Sequence, residues 1–119
     1  MGVPLAAAIS LVMLSSAQAA NSTADVEQLG NNNEATVTQA AGGDLKAAAI
    51  EQDGDNNFAV AYQEGSEYTL ESTQVGSSNV SFAIQEGFRS TATMSQDGVG
   101  NRQNVLQQSV EGSLLAEVT

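Results

Sequence analysis

The stretch Gln52-Asp53-Gly54-Asp55-Asn56-Asn57-Phe58-Ala59-Val60-Ala61-Tyr62-Gln63 decides the fold, because the chain writes its frame again as Gln74-Val75-Gly76-Ser77-Ser78-Asn79-Val80-Ser81-Phe82-Ala83-Ile84-Gln85 and once more as Gln96-Asp97-Gly98-Val99-Gly100-Asn101-Arg102-Gln103-Asn104-Val105-Leu106-Gln107. Working outward, Gln recurs at Gln28, Gln39, Gln52, Gln63, Gln74, Gln85, Gln96 and Gln107, every 11 residues except for one spacing of 13. That exception is a two-residue insertion in Ala40-Ala41-Gly42-Gly43. Gly follows two residues after most of these Gln, at Gly30, Gly54, Gly65, Gly76, Gly87 and Gly98. Asn takes the fifth place in alternate units, at Asn33, Asn57, Asn79 and Asn101, and Lys46, Tyr68 and Ser90 take it in the others. The period is therefore 22 residues in two unequal halves, within the range that marks a repeat architecture.

Inside each half, side chains alternate with period two, the signature of β-strands. The first strands end Ala24–Gln28, Ala48–Gln52, Leu70–Gln74 and Ala92–Gln96; the second run Asn33–Gln39, Asn57–Gln63, Asn79–Gln85 and Asn101–Gln107. If the Gln face points inward, none of the 14 acidic residues occupies an inward slot, and Lys46 is the only inward charge. Such one-sided placement is what a buried face demands, since an unpaired carboxylate is costly to bury. No half-unit can bury that face alone. Stacking the units at the inter-strand spacing of ~4.8 Å solves the problem. The predicted fold is an all-β solenoid of stacked 22-residue strand-turn-strand repeats, cross-β in character. Small apolar residues fill its interior, and Gln and Asn columns are satisfied only while the register holds. The Gly positions supply the positive φ that tight turns require.

Composition narrows the function. The chain has 119 residues, 14 acidic and 3 basic, for a formal net charge of −11, with no Cys, His or Trp. Disulfide frameworks, Cys/His metal sites and His- or Cys-based catalysis are excluded by absence. Three cations do not make a surface for nucleic acid or anionic lipid. No catalytic constellation is present, and no cofactor is implied. Asp53-x-Asp55-x-Asn57 with Glu64 has the beginnings of a calcium-loop spacing, but Phe58 stands where that loop needs Gly, so no metal site is expected.

Residues 1–19 read as a signal peptide. An apolar run from Val3 to Leu14 is too short to span a bilayer, and Ala17-x-Ala19 fits signal-peptidase cleavage before Ala20. The alternative for this run is a buried N-terminal helix. The repeat domain then covers 20–119, with units at about 22–43, 44–67, 68–89, 90–111 and a partial unit 112–119. The mature chain has no Pro, and Leu114–Val118 continues the repeat instead of ending it. Uncapped solenoid ends leave open strand edges, which favours head-to-tail polymerisation.

The pattern Ser-x5-Gln-x-Gly-x2-Asn-x-Ala-x3-Gln stands in full at Ser22–Gln39 and nearly so at Gln52–Gln63, and its frame recurs at Gln74–Gln85 and Gln96–Gln107. It resembles the curlin repeat of curli, the functional amyloid fibres of bacterial biofilms. The resemblance covers Ser22 to about Val110. It implies secretion through the periplasm and an outer-membrane curli secretion channel, and assembly with itself and a nucleating subunit into extracellular, cell-surface fibres for adhesion and biofilm matrix. It also implies that the Ser, Gln and Asn rows are stacked ladders. The Ser slot departs from the pattern at Lys46, Tyr68 and Gly112, and the basic C-terminal segment of the nucleating subunit is absent, which points to a fibre-forming subunit.

Two surface features carry further expectations. Asp53, Asp55 and Asp97 lie beside turns, where stacked carboxylates would repel and slow premature assembly. Phe58, Val60, Tyr62, Val80, Phe82 and Ile84 fall on the outer face of adjacent second strands as one apolar patch for lateral pairing or attachment. The rival to a fibre subunit is a soluble, monomeric, secreted β-solenoid binding module, such as an ice- or carbohydrate-binding adhesin. That class needs an unbroken outer row, and Ala47 interrupts the row Thr23, Thr69, Thr91.

Overall fold

A computed structural model describes residues 8–13, 21–40, 44–109 and 114–118. The described residues form ten strands and no helix: β1 (Ala8–Met13), β2 (Thr23–Leu29), β3 (Glu34–Gln39), β4 (Lys46–Asp55), β5 (Phe58–Ser66), β6 (Tyr68–Ser77), β7 (Val80–Phe88), β8 (Ser90–Val99), β9 (Arg102–Ser109) and β10 (Leu114–Val118). They build two five-stranded sheets, ordered β1-β3-β5-β7-β9 and β10-β8-β6-β4-β2. Parallel neighbours need a long connection between them; here each connection is the strand of the opposite sheet, so the chain coils as a solenoid. β2 and β3 make the first full rung, β4 and β5 the second, β6 and β7 the third, β8 and β9 the fourth. β1 and β10 are half-rungs at opposite ends, on opposite sheets.

The register stacks like on like. Gln28 pairs with Gln52, Gln52 with Gln74 and Gln74 with Gln96 on one sheet; Gln39, Gln63, Gln85 and Gln107 follow on the other. At the tail, Leu114 stands opposite Ser90. The expectation that Gly112 fills that slot is thus corrected: a two-residue offset recurs here, like the one between Gln39 and Gln52. Gly112 itself lies outside the described residues, as does the cleavage site before Ala20. Residues 8–13 are a strand, not the alternative helix.

The strands are longer than the alternation alone delimits. β4, β6 and β8 run on through the turn glycines, because Gly54, Gly76 and Gly98 pair in the same ladder as the strands, and Gly65 pairs with Gly87. Each turn hydrogen-bonds to the turn stacked on it, as in Asn56 N to Asn31 O (2.9 Å) and Ser78 N to Asp55 O (2.9 Å). Gly54 shows what this demands. Its φ is +121°, and a Cβ there would lie 1.9 Å from Gly76 O, so both the backbone angle and the closeness of the next rung require glycine.

A thin core of Ala35, Val37, Ala48, Ile50, Ala59, Ala61, Leu70, Ala83, Ala92, Met94 and Val105 lies between the sheets. No acidic residue whose side chain is described is buried, while Lys46 is fully buried.

Candidate functional site

With the core so small, the buried polar columns carry the specificity of stacking. On one sheet Gln28 Nε2 donates to Gln52 Oε1 (2.6 Å), Gln52 to Gln74 (2.7 Å) and Gln74 to Gln96 (2.8 Å). On the other, Gln39 donates to Gln63 (3.1 Å), Gln63 to Gln85 (2.9 Å) and Gln85 to Gln107 (2.8 Å). The second N–H of each interior amide crosses the core to the facing sheet. Gln52, Gln74 and Gln96 bond to the carbonyls of Glu34, Phe58 and Val80; Gln63, Gln85 and Gln107 to those of Ala47, Thr69 and Thr91. The alternation of the sequence places these amides inward but carries no sign of this cross-tie. It follows from the narrowness of a core in which Ala is the commonest residue, which brings the opposite backbone within reach of a Gln.

The Asn columns work differently from the amide-to-amide ladder expected of them. Backbone N–H groups of Asn57, Asn79 and Asn101 donate to the Oδ1 of the preceding Asn33, Asn57 and Asn79 at 3.0, 3.1 and 3.0 Å. The side-chain Nδ2 groups of Asn33, Asn57 and Asn79 cap the carbonyls of Gly54, Gly76 and Gly98 one rung on. Each Asn thus locks its turn to the next, which is why it sits at the strand entry. Beside them, Asn32, Asn56 and Ser78 have left-handed φ angles of 55°, 57° and 59°, and Leu45, Glu67 and Arg89 do the same in the other turns at 62°, 61° and 51°. Asn tolerates this conformation; the bulkier types cost roughly 1–2 kcal/mol each, and nothing in their spacing announces it.

The Ser row is not a ladder. Ser22, Lys46, Tyr68 and Ser90 share one column, and the Ser22 and Ser90 hydroxyls and the Tyr68 phenol are buried with no partner. Burial pushes the Tyr68 phenol above its ordinary pKa, with Glu86 and Glu64 adding to the shift. Lys46 donates from Nζ to Ala40 O at 2.9 Å. Burial lowers its pKa, and Asp44 and Glu64 pull the other way.

On the outer face, Phe58, Val60 and Tyr62 pair with Val80, Phe82 and Ile84, and the Phe58 and Phe82 rings stand 5.6 Å apart. Leu106 extends this surface beside Ile84. Tyr62 OH donates to Glu64 Oε2 at 2.6 Å. The turn aspartates do not stack: Val75 lies between Asp53 and Asp97, and Asp55 meets Ser77. The carboxylates that do stack directly are Glu27 on Glu51 and Glu64 on Glu86. Among the described residues, no group of three or more acidic side chains is placed to hold a metal ion, and no helix is long and apolar enough to cross a membrane. Asp55 Oδ1 instead accepts from the backbone and side chain of Asn31 at 3.0 and 3.1 Å.

The columns have a direction and two unfinished ends. At the β2/β3 end, the Oε1 atoms of Gln28 and Gln39 are buried without a donor. At the β8/β9 end, Gln96 and Gln107 spend one N–H on the facing backbone, and the second has no acceptor among the described residues. One end lacks two hydrogens and the other has two to give.

A solenoid whose buried amides run in polar columns, open at both ends, defines a class of repeat protein built for stacking. The chain belongs to the curlin associated repeat family, whose model matches residues 19–48 and 69–98. The columns pass without a break through the segments between and after these matches. Neither a curated protein nor a solved structure matches the chain. Family and fold together point to a structural protein, not an enzyme.

Proposed function

We propose that this protein is the structural subunit of a curli-like extracellular fibre that grows by stacking copies head to tail. The observation that carries this reading is the polarity of the amide columns. The two acceptors at one end, Gln28 and Gln39, match in number and position the two donors at the other, Gln96 and Gln107. A buried amide group left unmade costs about 1–3 kcal/mol, so joining the ends removes a penalty that every single copy carries twice over. Within each sheet every strand runs parallel to its neighbours, and therefore such a fibre has one direction. Residues 1–19 serve as the export leader. The partners are further copies of this chain, a nucleating subunit and the outer-membrane secretion channel, and the outcome is adhesion and biofilm matrix. The apolar patch around Phe82 and Ile84 pairs fibres sideways.

The chain beginning at Ala20, held in dilute buffer for hours, tests this. Sedimentable, thioflavin-positive fibres with a meridional reflection near ~4.8 Å are expected. A stable monomer without that reflection would return the protein to the class of soluble binding modules.

A further inference from the structure

The head of one sheet is already covered. β1 lies parallel to β3 with Ala8 opposite Glu34, Leu11 opposite Val37 and Met13 opposite Gln39. It extends the sheet as one more parallel strand, at the place where a fibre would put the strand of another copy. Its fit is incomplete in one respect. A Met side chain has no N–H to give, and Gln39, though 95 % buried, keeps an Oε1 without a partner. β1 completes backbone pairing and leaves the amide column broken.

We propose that residues 8–13 are a placeholder strand that closes the head of the solenoid, and that its replacement is β9 of a second copy. This rests on the fibre reading above and adds a gate to it. β9 pairs with β7 through Arg102 opposite Val80, Val105 opposite Ala83 and Gln107 opposite Gln85. The same register on β3 brings the incoming Gln107 to Gln39, Val105 to Val37 and Arg102 to Glu34. The spare Gln107 N–H then meets the orphaned Gln39 oxygen, continuing the column as Gln85 does one rung earlier. Arg102 faces Glu34, an opposite-charge pair on the outer surface where β1 offers only Ala8. An incoming β9 therefore makes what β1 makes and two contacts more.

The other sheet has the mirror arrangement. β2 is its outermost strand at the head, and β10 covers β8 at the tail. A joint in full register displaces both half-rungs, β1 from one partner and β10 from the other, and also sets Gln96 against Gln28. If both half-rungs stayed, β10 of one copy and β1 of the next would share a rung, and the column from Gln107 would stop at Met13. Removal of residues 1–19 lifts the placeholder, so export and permission to polymerise become one event.

Three chains at equal concentration test the gate: residues 1–119, the chain beginning at Ala20, and 1–119 carrying Leu11→Pro and Val12→Pro, which break β1 without touching the repeats. Each is added to sonicated fibre seeds of the Ala20 chain, with growth read by thioflavin fluorescence and pelleting. The proposal expects the Ala20 chain to elongate, 1–119 to elongate at least about tenfold more slowly, and the double-proline chain to recover most of the difference. Equal rates for 1–119 and the Ala20 chain, or no recovery with the prolines, overturn the gate and leave the fibre reading standing. No fibres from the Ala20 chain sinks the fibre reading and the gate with it.

Discussion

Replacing Gln63 by Ala is the sharpest probe of the columns. Gln63 sits mid-column, accepts from Gln39 Nε2, and donates both to Gln85 Oε1 and to Ala47 O. Alanine strands the Gln39 donor and the Gln85 acceptor in a site closed to water, at about 1–3 kcal/mol each, removes the cross-tie to Ala47 O, which keeps its place in the sheet ladder, and opens a cavity between rungs. The sum is roughly 3–6 kcal/mol after some relaxation, against a total stability of about 5–15 kcal/mol for an ordinary domain. Gln107→Ala strands only one, the Gln85 donor, and is expected to cost about half as much. Gln108→Ala is the control, because its bond to Glu86 is exposed, and should stay within about 0.5 kcal/mol. Urea unfolding of the three variants, followed by circular dichroism before any fibres form, measures the series. A Gln63→Ala loss below about 1 kcal/mol would refute the reasoning, since the column amides would then be exchanging with water instead of with one another.

Other perturbations follow from the same geometry. Gly54→Ala, with φ at +121° and Gly76 O 1.9 Å from the new Cβ, should cost roughly 4 kcal/mol or more. Gly100→Ala, at φ +71° with open space around it, should cost about 1 kcal/mol, and similar losses in thermal melts would contradict the close approach of the rungs. Tyr68→Phe should stabilise the fold by about 1 kcal/mol, because the phenol it removes has no partner. The Tyr68 pKa is raised in the fold, so its contribution is complete below the ordinary phenol value of about 10 and is lost as pH climbs through the raised one. Lys46, with a lowered pKa, has the opposite sign and gains with pH toward 10.5. An alkaline loss of unfolding free energy that survives Tyr68→Phe would place its origin elsewhere. Phe82→Thr with Ile84→Thr should leave fibre growth intact and reduce bundling in electron micrographs; undiminished bundling would reject the patch as a pairing surface.

Much of the fold is legible because the repeat constrains itself. Gln recurring every 11 residues sets the register, and the exclusion of acids from the Gln face marks inside from outside. One insertion was visible, between Gln39 and Gln52. The second offset, before Leu114, was not, because no Gln follows Gln108 to mark the phase. The Gln positions were readable as buried amides, but their second bond, across to the facing backbone, depends on sheet separation, which no spacing encodes. The Asn role is hidden in the sequence for a related reason. An amide-bearing column suggests side chain to side chain, whereas the left-handed residue just before each Asn turns its backbone N–H onto the neighbouring Oδ1. The turn aspartates looked stackable because Gln-x-Gly frames align them. The intervening rung holds Val75, and the repulsive pairs are Glu27–Glu51 and Glu64–Glu86. The pairing of residues 8–13 with β3 was illegible, since Ala8–Met13 carries neither the Gln nor the Asn of the frame.

The joint between copies is the claim on which the functional account stands, and mixed-label solid-state NMR reaches it directly. Fibres of the Ala20 chain grown from equal parts of 15N-labelled and 13C-labelled molecules can show a nitrogen-to-carbon contact only between molecules. The account predicts contacts from the Gln107 side-chain nitrogen to the Gln39 side-chain carbonyl and from Gln96 to Gln28. Intermolecular contacts confined to outer-face residues such as Phe82 and Ile84, with none among the glutamines, would contradict it.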